Sequence, residues 1–129
     1  DRYGWDDLGK ALVVHGMTDP GIVEGIFNHF GHVAKPGEVE QVITDYVQMM
    51  RDHREGFDSS RVLPGVPDIL AAPEGHGVCR QGLLTGNVEA AAELKLAHHG
   101  LWERFEFGAY GSDATLREDL VPEIIACYT

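Results

Sequence analysis

Residues 82–87 read Gly-Leu-Leu-Thr-Gly-Asn, and a lysine, Lys95, follows eight residues after Asn87. The apolar run predicts a buried strand, and the Ala-rich stretch 87–99 predicts a helix. This order brings the Thr85 hydroxyl, backbone N–H groups and one ammonium group to the same end of a strand. Such groups bind phosphate, so the stretch predicts a phosphate-binding turn.

The chain around this turn alternates between apolar strands and helices. The pattern predicts a short helix at 66–72, strands at 77–85 and 105–110, and helices at 87–99 and 115–126. Strand–helix–strand–helix order is typical of a parallel α/β unit. Residues 61–129 are therefore predicted to form a partial, Rossmann-like α/β core.

Residues 1–60 show helical spacing of apolar residues throughout. Three helices are predicted, at about 3–14, 18–31 and 36–56. Thr18-Asp19-Pro20 is a strong helix start, with cap residues followed by proline in the first turn. The third helix is expected to be the longest, about 30 Å at roughly 1.5 Å per residue. The predicted fold class is thus α+β and mainly helical, with a helical cap-like bundle in 1–60 before the α/β segment.

Two parallel strands make a sheet that is too small to bury its apolar surface independently. Strands such as 78–84 normally lie between neighbours in a larger sheet. The segment therefore either pairs with a second copy of the chain or stays open and partly disordered. We favour a homodimer.

The composition excludes several classes of partner. The net charge is −11, from 21 acidic and 10 basic residues. Such a surface repels nucleic acid and anionic membranes, although it also serves simply to keep a protein soluble. The sequence contains no run of about 18 apolar residues, which a membrane-spanning helix would require. The two cysteines form neither a disulfide framework nor a zinc motif, so a cytoplasmic location is expected.

Together these segments resemble the haloacid dehalogenase-like hydrolases, in particular the phosphoglycolate-phosphatase-like branch. The turn at 85–87 resembles the second motif of that family, and 93–101 resembles the segment that carries its third-motif lysine. The other matching segments are 63–66, 108–113 with Arg117, and the cap-like residues 1–60, including 15–20. The resemblance covers nearly the entire chain.

The resemblance implies a role for each residue of the turn. Thr85 would donate its hydroxyl to the transferring phosphoryl group, and Gly86 and Asn87 would offer backbone N–H groups. Lys95 would neutralise charge on the phosphoryl oxygens. The alternative is that 85–87 form a polar turn that caps the next helix, with Lys95 a solvated lysine. Asp113 and Arg117 are expected to form an ion pair or a cap.

The chain also departs from the family pattern. No Asp-x-Asp, the motif that supplies the nucleophile and the general acid, occurs in the sequence, and the acidic fourth motif would follow residue 129. The resemblance therefore implies a truncated member of the family. Covalent aspartyl-phosphate chemistry requires the missing groups.

A divalent metal ion (zinc, manganese or magnesium) is the simplest replacement for the missing carboxylates. Antiparallel helices would gather His15, Asp19 and His53, with Asp52, at one end of the bundle, and these are the predicted metal ligands. The opposite end would gather His29, His32 and Glu38. The alternative for each histidine is an ordinary surface or helix-end residue.

Two functions follow from these observations. The first is a metal-dependent phosphoester hydrolase, a phosphomonoesterase or phosphodiesterase, acting on a small phosphorylated substrate with Thr85, Asn87 and Lys95 as its catalytic residues. The second is a non-catalytic fragment or dimerisation module that is inactive without the aspartate nucleophile.

Overall fold

The computed structural model describes residues 2–6, 14–72 and 80–128 of the chain. In these ranges the fold is α+β and mainly helical, which confirms the predicted class. The elements in chain order are α1 (Asp19–His29), α2 (Glu38–Asp52), α3 (Val66–Ala71), β1 (Gly82–Leu84), α4 (Glu89–His98), β2 (Phe107–Ala109) and α5 (Leu120–Tyr128).

Helix α1 begins where the sequence predicts. Thr18 is its N-cap, and the Thr18 Oγ1 accepts a hydrogen bond from the Gly21 N–H at 3.2 Å. Pro20 lies in the first turn, where a missing N–H costs nothing. The prediction that a helix starts near Tyr3 is wrong, because residues 2–6 are not helical. Positions 7–13 of that predicted helix lie outside the described residues.

Helix α2 has 15 residues and is therefore about 22 Å long, shorter than predicted. It ends at Asp52, and a short 3₁₀ helix, Arg54–Ser59, follows. Residues 51–56 are all exposed. Since most helical stability comes from burying an apolar face, the exposed residues after Asp52 have no packing that would extend the α-helix.

The sheet has two parallel strands in the described part of the chain. Leu83 pairs with Gly108, and Leu84 pairs with Ala109. The Thr85 N–H donates to the Ala109 carbonyl at 3.1 Å and so extends the ladder by one bond beyond β1. Both strands are shorter than predicted, and positions 77–79 of the first one lie outside the described residues. Helix α5 packs against both strands.

The core joins the helical region to the α/β region. Val47 of α2 packs with Val88 and Ala91 of α4, and Ile43 and Leu94 extend this cluster. The predicted division near residue 60 stays a prediction.

Backbone hydrogen bonds also connect the segment before α1 to the C-terminal half. The Asp19 N–H donates to the Gly86 carbonyl at 2.7 Å, and the Arg117 N–H donates to the Gly16 carbonyl at 3.0 Å. Thr18 is fully buried, and its hydroxyl donates to the Thr115 carbonyl at 2.8 Å. We call this contact region, formed by 16–19, 85–88, 111 and 115–117, the junction. It places the start of α1 directly over the predicted phosphate-binding turn.

Candidate functional site

Thr85 lies at the carboxyl end of β1, as predicted. Its Oγ1 accepts a hydrogen bond from the Asn87 N–H at 3.1 Å. A hydroxyl that accepts in this way keeps its own proton available, so Thr85 can still donate to a phosphoryl oxygen. The Asn87 N–H, by contrast, is already used inside the turn. The role of this N–H in phosphate binding stays a prediction.

The Asn87 side chain connects the turn to Lys95. Its Oδ1 accepts from the Lys95 Nζ at 3.1 Å, and its Nδ2 donates to Asp19 Oδ1 at 3.1 Å. These partners fix the orientation of the amide, because the ammonium only donates and the carboxylate only accepts. Lys95 is thus held at the turn by Asn87, and the Asn87 side chain does not serve as a local helix cap.

Asp19 has a structural reason to lie here. Val88, the N-cap of α4, has no side chain that can accept a hydrogen bond, and Asp19 Oδ2 accepts from the Val88 N–H at 2.9 Å instead. Asp19 therefore caps α4 from another helix, and its charge is also favourable in the first turn of α1.

Arg117 adds a second cation beside the turn. A Cβ built on Gly86 would lie 3.2 Å from the Nη2 of Arg117 and 2.7 Å from the carbonyl oxygen of Met17. Only glycine fits there, and the guanidinium lies against the turn. Lys95 and Arg117 together outweigh the one negative charge of Asp19, so this arrangement favours an anion.

The prediction that Asp113 and Arg117 form an ion pair or a cap has a different result for each residue. The Asp113 Oδ2 accepts from the Tyr110 N–H at 2.7 Å, so the expected capping role of Asp113 is confirmed. Arg117 lies at Gly86, and sequence reasoning missed this because the contact spans about 30 residues of chain. Nothing in the local pattern around Arg117 indicates the turn as its neighbour.

The three predicted metal ligands do not form a metal site. Among the described residues, no group of three or more His, Cys, Asp and Glu side chains is arranged to hold an ion. The Asp19 carboxylate bonds to Asn87 and Val88, and the His53 Nδ1 lies 2.9 Å from the Met49 carbonyl of its own helix. His15 is exposed in the turn before α1. The structure does not bring His15, Asp19 and His53 together as one group of ligands, and the bound metal ion stays a prediction from the sequence.

At the opposite end of α1 and α2, the predicted meeting of His32 and Glu38 is confirmed. The His32 Nε2 lies 3.0 Å from Glu38 Oε1, to which the Tyr3 hydroxyl also donates at 2.8 Å. The Lys35 N–H donates to Glu38 Oε2 at 2.8 Å. These bonds, with the Lys35 N–H first, lower the pKa of Glu38 to about 2. His29 does not join them and packs against Phe30.

Aromatic rings enclose this second network. Tyr3 stacks on Trp5 at a centroid distance of 4.4 Å, and Trp5 stacks on Phe30 at 4.5 Å. The buried Phe27 meets the edges of these rings and of His32. We call this group the aromatic cluster. Its ring contacts stabilise the fold, and the Tyr3 hydroxyl is held by Glu38.

One cavity borders the junction at Val88, Gly111 and Thr115. It has a volume of about 670 Å³ and runs along α2, with Val39, Ile43 and Val47 on one side and residues 111–115 on another. Thr85, Asn87 and Lys95 do not line it. A smaller cavity of about 280 Å³ lies between α1 and α2 and has Asp19 on its wall.

No protein-family model, curated protein or solved structure matches this chain. The haloacid dehalogenase-like assignment therefore stays a prediction from the sequence. No helix in the described ranges combines the length and apolar character that crossing a membrane requires. The case for function consequently rests on the geometry of Thr85, Asn87, Lys95 and their neighbours.

Proposed function

We propose that this chain binds the phosphoryl group of a small phosphorylated substrate and serves in phosphoester hydrolysis. The observation that supports this best is the convergence of the Thr85 hydroxyl, the Asn87-bound Lys95 ammonium and the Arg117 guanidinium on one turn. A cytoplasmic, reducing location is part of the same proposal.

Each of these groups has a distinct task in the proposal. The Thr85 hydroxyl donates to a phosphoryl oxygen. The ammonium of Lys95 gives one of its three N–H groups to Asn87 within the described part of the chain, which leaves two for a ligand. Phosphoryl transfer spreads negative charge over the phosphoryl oxygens, and fixed cations lower the energy of that state.

Hydrolysis also requires a group that attacks phosphorus, and this proposal assigns that role to no residue of the chain. A divalent metal ion would need ligands other than the set of His15, Asp19 and His53. The proposal therefore covers binding, orientation and charge stabilisation of the phosphoryl group.

Titration with inorganic phosphate tests the proposal directly. We expect ¹H–¹⁵N NMR shifts at residues 85–88 and saturable binding by wild-type protein. Removing one charged donor should weaken binding about tenfold or more, so Lys95→Ala should show this loss. Lys35→Ala is the matched control, because Lys35 is exposed and lies at the far end of α2. Equal phosphate affinity in wild type and Lys95→Ala would contradict the proposal.

A turnover assay separates hydrolysis from the non-catalytic alternative. We expect 4-nitrophenyl phosphate to be cleaved faster by the protein than by buffer with the same added metal. Phosphate binding without any turnover, with and without zinc, manganese or magnesium, would favour a non-catalytic binding fragment instead.

A homodimer is a second part of the proposal. The sheet has two strands in the described ranges, and Leu63 and Ile69 are 73% and 71% exposed although they are large and apolar. Burying such residues against a second copy would stabilise both chains. Light scattering after size exclusion should give twice the mass of one chain, and Ile69→Glu should lower it; a monomeric mass for the wild type would refute this part.

A further inference from the structure

The cavity of about 280 Å³ between α1 and α2 is a small apolar pocket beside the phosphate-binding turn. Residues three or four positions apart lie on the same face of a helix, and one such face from each helix lines the pocket. The lining residues are Asp19, Ile22 and Val23 from α1, and Val42, Ile43 and Tyr46 from α2. An apolar cavity of about 150 Å³ is large enough for benzene. This pocket therefore has room for one aromatic ring or a short alkyl group.

Two polar groups border the pocket. Burial, and then the negative charge of Asp19, raise the pKa of the Tyr46 phenol, so that phenol is neutral at physiological pH. The Asp19 carboxylate receives hydrogen bonds from Asn87 Nδ2 and the Val88 N–H, which are both uncharged groups. No Lys, Arg or His side chain in the described ranges forms an ion pair with Asp19. The pocket thus presents apolar walls and one negative charge.

Asp19 connects the pocket to the turn. Asp19 lines the pocket, and its carboxylate lies 3.1 Å from the Asn87 amide, which in turn bonds to Lys95. The turn and the pocket therefore share Asp19 as a neighbour, and a group that reaches from a phosphate at the turn into the pocket meets this residue. Like charges repel there, which disfavours a substrate whose alcohol portion carries a carboxylate.

We propose that this pocket accepts the alcohol portion of the phosphoester, and that this portion is uncharged and apolar, a short alkyl chain or a single aromatic ring. The inference rests on the proposed function, because it assumes that phosphate binds at Thr85. It adds the substrate class, and it predicts discrimination against carboxylate-bearing alcohols such as glycolate.

Three phosphonates that cannot be hydrolysed test the inference in the wild-type chain. Propylphosphonate and phosphonoacetate have similar size, and only the second carries a carboxylate; phenylphosphonate adds an aromatic ring. We expect propylphosphonate and phenylphosphonate to bind about tenfold more tightly than phosphonoacetate, because they bury apolar surface without charge repulsion. The methyl NMR signals of Ile22, Val23, Val42 and Ile43 should shift with the first two ligands.

A cavity-filling variant provides the second measurement. Ile22→Phe should remove the preference for propylphosphonate while leaving the affinity for inorganic phosphate unchanged. The matched control is Val33→Phe, which adds the same ring at a position that is 87% exposed. A control that behaves like the wild type shows that the ring acts through the pocket.

The outcomes separate the two proposals. If inorganic phosphate binds and phosphonoacetate binds as tightly as propylphosphonate, the inference is overturned and the proposed function stands. If inorganic phosphate itself does not bind, the proposed function fails and the inference fails with it. Should Ile22→Phe unfold, the comparison of ligands in the wild type still decides the question.

Discussion

Two carboxylate-centred networks lie at opposite ends of the α1–α2 pair, and they differ in what they leave free. Glu38 accepts from Tyr3 and the Lys35 N–H and meets His32, inside the aromatic cluster. Asp19 accepts from Asn87 and the Val88 N–H, and its network continues outward to Lys95. The Glu38 network ends in groups of the protein itself. The Asp19 network ends at the Lys95 ammonium, which has two further N–H groups for a ligand.

This difference shows how similar chemistry serves two purposes. A carboxylate that is held by donors and surrounded by rings fixes the local chain, because Tyr3, His32 and the Lys35 N–H all meet it. A carboxylate that positions an amide and, through it, a cation prepares a place for an anion. We therefore expect perturbation of the aromatic cluster to affect stability first, and perturbation of the Asp19 network to affect binding first.

The largest effect is expected from Phe27→Ala. Phe27 is 3% exposed and contacts Tyr3, Trp5 and His32. Removing a buried aromatic ring costs about 3–5 kcal/mol of unfolding free energy. Urea denaturation followed by circular dichroism measures this loss. Val33→Ala is the control, since Val33 is 87% exposed and should change stability little. Equal effects of the two substitutions would contradict the role of the cluster.

A smaller effect on stability, with a separate effect on binding, is expected from Asp19→Ala. Loss of a helix cap costs about 1 kcal/mol of unfolding free energy. The Asn87 amide would also lose its carboxylate partner, so Lys95 would be held less firmly and phosphate affinity should fall. Thermal unfolding and phosphate titration measure the two effects. Glu24→Ala, an exposed carboxylate on the same helix, should change neither; a matching loss of phosphate affinity there would exclude a specific role for Asp19.

The smallest effect is expected from Glu38→Gln, and it is a change in how stability depends on pH in the acid range. The pKa of Glu38 is about 2, below its ordinary value of 4.5, so folding favours the ionised form. The stabilisation is fully present above about pH 4.5 and is lost as the pH falls from 4.5 towards 2. The melting temperature of the wild type should therefore fall more steeply over this range than that of Glu38→Gln. Glu40→Gln should follow the wild type.

Local sequence patterns predicted most of the fold. Thr18-Asp19-Pro20 located the start of α1, because capping depends on residues within one turn. The parallel arrangement of β1 and β2 followed from the order of apolar runs. The end of α2 was wrong, since periodicity alone does not reveal that residues 51–56 have nothing to pack against.

The site was only partly accessible from the sequence. Thr85, Asn87 and Lys95 lie within eleven residues, and their association followed from one strand–turn–helix unit. Asp19 was expected to bind a metal ion, but its partner Asn87 lies 68 residues away along the chain. Arg117 was missed for the same reason. Contacts of this kind depend on tertiary packing, which no local pattern encodes.

Two glycines, Gly111 in the junction and Gly21 in the first turn of α1, limit how the proposed ligand reaches the turn. A Cβ on Gly111 would overlap the Gly86 carbonyl, and a Cβ on Gly21 would lie 2.5 Å from the Thr115 carbonyl. At these points two backbone segments are in direct contact. The backbone hydrogen bonds from Thr18 to Thr115 and from Asp19 to Gly86 hold the start of α1 in place. A hinge that swung α1 away would have to break those bonds. Entry and exit of a ligand therefore fall to movements of long side chains, those of Lys95 and Arg117.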